Sequence, residues 1–149
     1  MPLEVFETAS ALMVKMLLVT VGAPSEDIER IMDRVCSIVS LPQGPMYDRN
    51  SFESAPGYER YRPLAGAVAG AEQETRKRPG VVTVTFELDN DQAVLATVVE
   101  QIFQVHSYQE PVIRISEVLT CRSKGLDDRN NPNRWWNNAG DWKPKQSNA

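Results

Sequence analysis

The stretch His106-Ser107-Tyr108-Gln109-Glu110-Pro111 decides the fold of this 149-residue chain, because it joins two segments of different periodicity. Before it, residues 94–105 repeat apolar side chains every three or four positions, which predicts an amphipathic helix. After it, residues 112–119 alternate β-branched and polar side chains, which predicts a strand. The stretch is therefore a helix-to-strand joint, and it carries the only histidine of the chain.

Further elements follow toward the N-terminus. Residues 81–88 alternate apolar and polar side chains and predict a half-buried strand, and Asp89-Asn90-Asp91 offers an N-cap for the next helix. Residues 28–39 carry an apolar stripe at helical spacing, with Ser25 as the predicted N-cap. Residues 13–21 form a short apolar run that favours a buried strand over a helix.

The predicted elements follow the order β-α-(β)-β-α-β, in which the bracketed strand is a short one near residues 46–52. Two helices on one face of a four-stranded antiparallel sheet make the ferredoxin-like sandwich of the α+β class. We expect an N-terminal arm at residues 1–12, the ferredoxin-like domain at 13–121 and a C-terminal extension at 122–149.

Such a sheet leaves one face without helices. The side chains predicted there are too polar for a core but suit a partly buried interface, and they include Thr83, Thr85, Arg114 and Ser116. We therefore predict a homo-oligomer that forms through this face or through the sheet edges.

Composition excludes several classes of function. The net charge is −4 and no basic run occurs, which disfavours nucleic acid as a partner. No apolar run approaches the length of about 20 residues that spans a bilayer. Cys36 and Cys121 lie far apart and form no Cys-x-x-Cys motif, so we expect reduced thiols and a soluble cytoplasmic protein.

Two motifs give the chain a family resemblance. The stretch 106–111 resembles the His-Pro-Tyr-Glu-Glu-Pro signature of the domain inserted in NGG1-interacting-factor-3-like (NIF3-like) proteins, and the looser version in CutA divalent-ion tolerance proteins. Gly57, with Tyr61-Arg62-Pro63-Leu64 after it, resembles the Gly-x-Phe-Arg-Pro-x-x-Gly-Ala segment of the same insert. The resemblance covers residues 14–119 and implies a PII-like ferredoxin fold that commonly assembles as trimers.

The departures from the family motif limit what it implies. Ser107 stands in place of Pro and Gln109 in place of Glu, so one carboxylate of the signature is missing. The di-metal domain of NIF3-like proteins is absent, since this chain has a single histidine. The hydrolase activity attributed to that domain is therefore not carried over.

The candidate site residues lie around the joint. His106 and Glu110 could bind a divalent transition-metal ion, although a catalytic zinc site needs three protein ligands. In the structural alternative, His106 ends the helix, Tyr108 packs against it and Glu110 accepts hydrogen bonds from the turn. We assign no catalytic residue, and His106 as an acid or base stays an alternative.

Arginines and tyrosines complete the candidate ligand site. Tyr61 and Arg62 are expected beside a cleft, where the planar guanidinium of Arg62 could hold an anion, and Tyr108 is a further candidate ligand residue. Alternatively, Arg62 pairs with Glu110 or Glu87, and the same two interpretations apply to Arg114.

The leading functional hypothesis is a non-enzymatic PII-like protein that binds a small ligand or metal ion and acts as an oligomer. The alternatives are a small enzyme that uses His106 with an arginine-held anionic substrate, and a structural interaction module. Residues 122–149 carry six Lys or Arg and three Asp, whereas the rest of the chain is acidic. We expect Trp135 and Trp136 to clasp this tail to a neighbouring subunit, with ligand stacking or docking to a protein partner as alternatives.

Overall fold

The computed structural model describes residues 3–125 and 130–143. Within these ranges the chain forms one antiparallel sheet of five strands and three α-helices. The elements are β1 (Ala11–Pro24), α1 (Ile28–Cys36), β2 (Phe52–Glu53), β3 (Gly57–Tyr61), β4 (Arg76–Asp89), α2 (Gln92–Val105), β5 (Val112–Ser123) and α3 (Trp135–Asn138).

The sheet has the ferredoxin-like strand order, which confirms the predicted fold class. β4 and β5 flank β1 on either side, and the outer edge of β4 pairs with β2 and β3. The predicted count of four strands is wrong, because two short strands share this edge. The segment between them contains Pro56, which has no N–H to continue a ladder.

The core lies between one face of the sheet and helices α1 and α2. Alternate residues of β1 and β4 face the helices and are buried, as strand geometry requires. The most buried of these side chains, together with their helical partners, are Val19, Val21, Val82, Val84, Phe86, Ile31, Val35, Val98 and Ile102. Arg34 joins the two helices by donating a hydrogen bond to Oε1 of Gln101 at 2.6 Å.

Helix α1 differs from the prediction at both ends, since it ends at Cys36 and not at residue 39. Ser25 makes no capping hydrogen bond, because residues Ser25–Asp27 form a 3-10 turn and α1 begins at Ile28. The predicted N-cap is therefore wrong. The predicted cap of α2 is confirmed, since Oδ1 of Asp91 accepts hydrogen bonds from the N–H groups of Ala93 and Val94.

Strand β4 begins five residues earlier than predicted. Between the pairs Gly57–Val81 and Glu59–Arg78, β4 contains one residue more than β3, so the ladder has a bulge. Gly80 lies in this bulge with φ of +74°, a conformation that favours glycine. Pro79-Gly80 is a sequence typical of a turn, but here it lies in a bulge. As a result, β3 and β4 extend beyond the sheet as a two-stranded ribbon.

The N-terminal arm contacts the chain just after the end of β5. The backbone N–H of Lys124 donates to the carbonyl of Ser10 at 2.9 Å, and its ammonium lies 2.8 Å from Glu7. Among the described residues, no helix is long and apolar enough to cross a membrane.

Candidate functional site

His106 lies at the centre of the joint and is fixed through both ring nitrogens. Its Nδ1 accepts the N–H of Tyr108 at 2.9 Å, and its Nε2 lies 2.8 Å from the carbonyl oxygen of Gly22 in β1. Since Nδ1 acts as the acceptor, Nε2 carries the proton and donates to Gly22. The residue is only 8% exposed, so the ring is well packed.

Asp27 is a buried carboxylate beside the joint, with 3% of the residue exposed. Its Oδ2 accepts the N–H of Ser107 at 3.0 Å, and its Oδ1 lies 2.8 Å from the Arg30 guanidinium. Burial raises the pKa of Asp27, but the hydrogen bond from Ser107 and the charge of Arg30 outweigh it and hold the pKa below its usual value. Arg30 in turn donates to the carbonyl of Val105 at 2.8 Å.

Tyr108 connects the joint with the β3–β4 ribbon. Its ring packs against His106 with the centroids 4.9 Å apart, and the guanidinium of Arg78 lies 5.3 Å from its centroid. Its hydroxyl is buried and makes no hydrogen bond to any residue that the structure describes. Burial, together with the neighbouring carboxylate of Glu59, raises the pKa of Tyr108 to about 12.

A shallow depression of about 480 Å³ lies next to Tyr108 and is lined by Tyr61, Arg76, Lys77 and Arg78. Arg76 donates to the Tyr61 hydroxyl at 3.3 Å and forms an ion pair with Glu72. The Arg76 guanidinium lowers the pKa of Glu72 through a hydrogen bond, and the pair raises the pKa of Arg76.

The side chain of Lys77 lies on a different face of the ribbon from those of Arg76 and Arg78. The ammonium of Lys77 lies 4.3 Å from the ring centroid of Tyr58. Because neighbouring strand residues point to opposite faces, the Lys77 side chain projects away from those of Arg76 and Arg78. The two arginines therefore share one face of the ribbon beside Tyr108.

Gln109 attaches the joint to the loop between β3 and β4. Its Oε1 accepts the N–H of Val68 at 3.0 Å, and its Nε2 donates to the carbonyl of Gly66 at 3.5 Å. A glutamate could accept the first bond but could not donate the second. The departure from the family signature at this position therefore has a structural use.

The structure brings together only part of the predicted ligand set. Tyr61, His106 and Tyr108 lie around the joint, whereas Arg114 is exposed on the uncovered face of the sheet, paired in register with Thr20. Arg62 is exposed beside Tyr61.

Metal coordination by His106 and Glu110 stays a prediction. The described residues contain no group of three or more His, Cys, Asp or Glu side chains that could hold a metal ion. A metal ion at His106 would have to replace one of its two hydrogen bonds. Within the described residues, the carboxylate of Glu110 is exposed and makes no hydrogen bond, and Glu87 pairs with Arg122 instead of Arg62.

Sequence reasoning missed Asp27, Arg76 and Arg78. In the sequence, Asp27 is simply an acid that follows Glu26 near the start of a predicted helix, and residues 72–80 are polar and end in Pro79-Gly80, which is typical of a turn. The sequence does contain a signal for the arginines. Arg76 and Arg78 alternate in one segment, and Tyr58-Glu59-Arg60-Tyr61 combines charged and aromatic residues in another, as is typical of a two-stranded ribbon with charged faces. The partner Ser107 of Asp27 lies 80 positions away in the chain, so no local pattern could reveal this contact.

Comparisons with known proteins agree on the fold. No family model and no curated protein sequence matches the chain. Among solved structures, a Bacillus cereus protein related to NIF3 superposes on 74% of this chain with a TM-score of 0.58 and 16% identity. This chain covers only 27% of that protein.

CutA proteins match over most of their length. The divalent ion tolerance protein CutA1 from Ehrlichia chaffeensis has a TM-score of 0.51 at 14% identity, over 76% of this chain and 86% of that one. The periplasmic divalent cation tolerance protein CutA from Archaeoglobus fulgidus has a TM-score of 0.50 at 17% identity, over 70% and 84%. The resemblance carried by residues 57–64 and 106–111 is thus confirmed for the fold, which this chain shares with NIF3-related and CutA proteins.

Proposed function

We propose that the chain is a non-enzymatic regulatory protein that works as a homo-oligomer, a trimer, and binds a small ligand beside the helix-to-strand joint. The observation that carries the proposal is the pair of hydrogen bonds from Gln109 to the loop between β3 and β4. The same loop follows Tyr61 and precedes Arg76, which both line the depression. A ligand in the depression would contact both ends of the loop and would lie near the hydrogen bonds of Gln109 that hold the loop to the joint. Binding would therefore change the position of the loop.

The geometry favours an organic ligand. Tyr61 is 38% exposed and lines the depression, so its ring offers an aromatic surface against which an organic ligand would stack. Arg76 and Arg78 add fixed guanidinium donors on the same side. A divalent transition-metal ion is the alternative ligand, in line with the tolerance proteins that share the fold.

The uncovered face of the sheet supports the oligomer. Thr83, Arg114 and Ser116 are exposed on this face, whereas the half-buried Leu18 supplies apolar area beside Met16, which is already buried. A second copy of the sheet would cover the apolar strip and leave polar side chains around it, which is the usual anatomy of an interface. The two free cysteines within the described chain fit a reducing cytoplasm, where we place the oligomer.

Light scattering coupled to elemental analysis of freshly purified protein tests the assembly and the metal in one run. We expect three times the 16.7 kDa mass of one chain. A stoichiometric transition metal that His106→Ala removes, and exposed Cys121→Ser does not, would support the metal alternative. A monomer would contradict the proposed assembly.

Hydrogen exchange tests the ligand site. A library of small metabolites is screened for compounds that raise the melting temperature of the wild type but not of Arg78→Gln. Bound ligand should change amide exchange at residues 64–70 of the loop. Arg60→Gln is the matched control, since Arg60 is exposed on the same ribbon and pairs with Lys77 on its other face. If every stabilising compound leaves loop exchange unchanged, the regulatory role is wrong.

A further inference from the structure

An apolar groove lies on the outer side of α2, away from the joint. It has a volume of about 510 Å³ and is lined mainly by Leu95, Val99 and Phe103 of α2 and by Ile115 of β5. Phe103 is 47% exposed and Ile115 is 44% exposed, so both present large apolar surfaces to solvent in the single chain. Side chains of this size are costly to leave uncovered when they are contiguous.

The C-terminal segment exposes the complementary surface. Trp135 and Trp136 pack edge to face with centroids 5.6 Å apart, yet they are 49% and 51% exposed, and Trp142 is 90% exposed. The short helix α3 that carries the pair buries no residue. Amphipathic indoles of this kind are the side chains most enriched at the centres of protein interfaces.

We propose that the tryptophan segment of one chain, residues 130–143, docks in the α2–β5 groove of a second copy. The inference rests on the proposed homo-oligomer and goes beyond it by naming both surfaces of a subunit contact. The occupant of the groove is then a segment of the same sequence, and each chain both donates its segment and receives that of a neighbour.

Charge complementarity supports this occupant. Glu100 lines the groove, and Glu117 follows Ile115 on the same face of β5. The segment 130–143 contains Arg134 and Lys143 against Asp141, and so has the opposite net charge. Complementary charges at the edge of an apolar contact favour correct pairing of partners.

The direction of β5 favours a neighbour over the groove of the same chain. β5 runs from Ile115 to Ser123 away from the groove, over about 26 Å at 3.3 Å per residue. The N-terminal arm then holds Lys124 through Ser10 and Glu7 at that far end. The chain therefore leaves β5 at a point remote from its own groove.

Tryptophan fluorescence tests the proposal, because all three tryptophans of the chain lie between positions 135 and 142. Emission of the full chain thus reports this segment alone. We expect blue-shifted emission and weak acrylamide quenching in the wild type, and a red shift with stronger quenching in Phe103→Asp. Phe52→Asp is the matched control, since Phe52 is 71% exposed and lies outside the groove, and it should leave the emission unchanged.

A second variant and a mixed oligomer complete the experiment. Ala96→Arg places a charge in the groove at an exposed helical position and should red-shift the emission even if Phe103→Asp fails to fold. Phe103→Asp is also co-expressed with a chain in which all three tryptophans are alanine. That partner is free of tryptophan but has an intact groove, so docking between copies restores the blue shift.

The outcomes separate the two proposals. Wild-type emission in Ala96→Arg, or no recovery of the blue shift in the mixed oligomer, overturns docking between copies. An oligomer by light scattering whose indoles are as exposed as in the unfolded chain overturns this inference but leaves the proposed function standing. A monomer overturns both.

Discussion

The Nε2–H of His106 donates to the carbonyl oxygen of Gly22 across 84 positions of sequence, at 2.8 Å. This bond fastens the joint between α2 and β5 to the end of β1, where Gly22 pairs in register with Val112. Because Nδ1 of the same ring accepts the N–H of Tyr108, the imidazole works as a bridge between two backbone groups. The single histidine of the chain thus has a structural task in the isolated chain.

We expect His106→Phe to destabilise the fold by about 1–3 kcal/mol, the usual cost of leaving a buried polar group without a partner. Both the Gly22 carbonyl and the Tyr108 N–H lose their partner, whereas the aromatic ring is kept. Urea denaturation measures the change. Glu110→Gln is the control, because the Glu110 carboxylate is exposed in the same joint and makes no hydrogen bond within the described residues. Equal stability of the two variants would contradict the bridge.

Asp27 should make the fold sensitive to acid. Its pKa is lower in the folded than in the unfolded chain, so its stabilisation is present above its unfolded pKa of about 3.9 and is lost as pH falls through the folded pKa. We expect Asp27→Asn to be less stable than the wild type at pH 7, by about 1–3 kcal/mol.

The difference between Asp27→Asn and the wild type should shrink below about pH 4, and urea titrations at several pH values follow it. Asp33→Asn, which changes an exposed carboxylate on α1, is the control and should show little difference at any pH. A constant gap between Asp27→Asn and the wild type down to pH 2 would show that the charge of Asp27 is not the source.

Periodicity predicted the fold because each main element buries one face. The stripe of α2 and the alternation of residues 81–88 follow directly from burial, and the local cap at Asp91 uses neighbours in sequence. The ribbon before Val81 was missed, since its two strands lie beyond the core and have no apolar face to alternate. In addition, Pro79-Gly80 is typical of a turn, although Gly80 lies in a bulge within β4.

The candidate site was less predictable, because its contacts join distant segments. Motif resemblance singled out His106 and Tyr61, whose roles as ligand residues stay predictions, but their partners depend on register. Arg78 meets Tyr108 only because the extended ribbon reaches the joint. Arg114 lies on the uncovered face, as the alternation of β5 predicts, and its role as a ligand residue stays a prediction.

Gln109 should control the mobility of the loop between β3 and β4. Gln109→Ala removes both bonds to the loop, and Gln109→Glu keeps the acceptor for Val68 but loses the donor to Gly66. We therefore expect amide exchange at Val68 to accelerate most in the alanine variant and less in the glutamate variant. Mass-spectrometric hydrogen exchange measures this order.

Gln104→Ala is the control for the loop experiment, since Gln104 bonds only within α2, to Glu100. Its loop should exchange like that of the wild type. Unchanged loop exchange in Gln109→Ala would show that the two hydrogen bonds do not hold the loop in solution, and it would remove the observation on which the proposed function depends.

Tyr108→Phe should leave stability at pH 7 unchanged or raise it by up to about 1 kcal/mol, because it removes a buried hydroxyl that has no partner within the described chain.

In the wild type the pKa of Tyr108 is raised to about 12, against about 10 when unfolded. Its stabilisation is therefore present below pH 10 and is lost as pH rises toward 12, so the wild type should weaken relative to Tyr108→Phe over this window. Urea unfolding from pH 8 to 12 measures the difference, with Tyr58→Phe, an exposed tyrosine, as the control that should follow the wild type. A Tyr108→Phe protein that is clearly less stable at pH 7 would mean that the hydroxyl has a partner in the assembled protein.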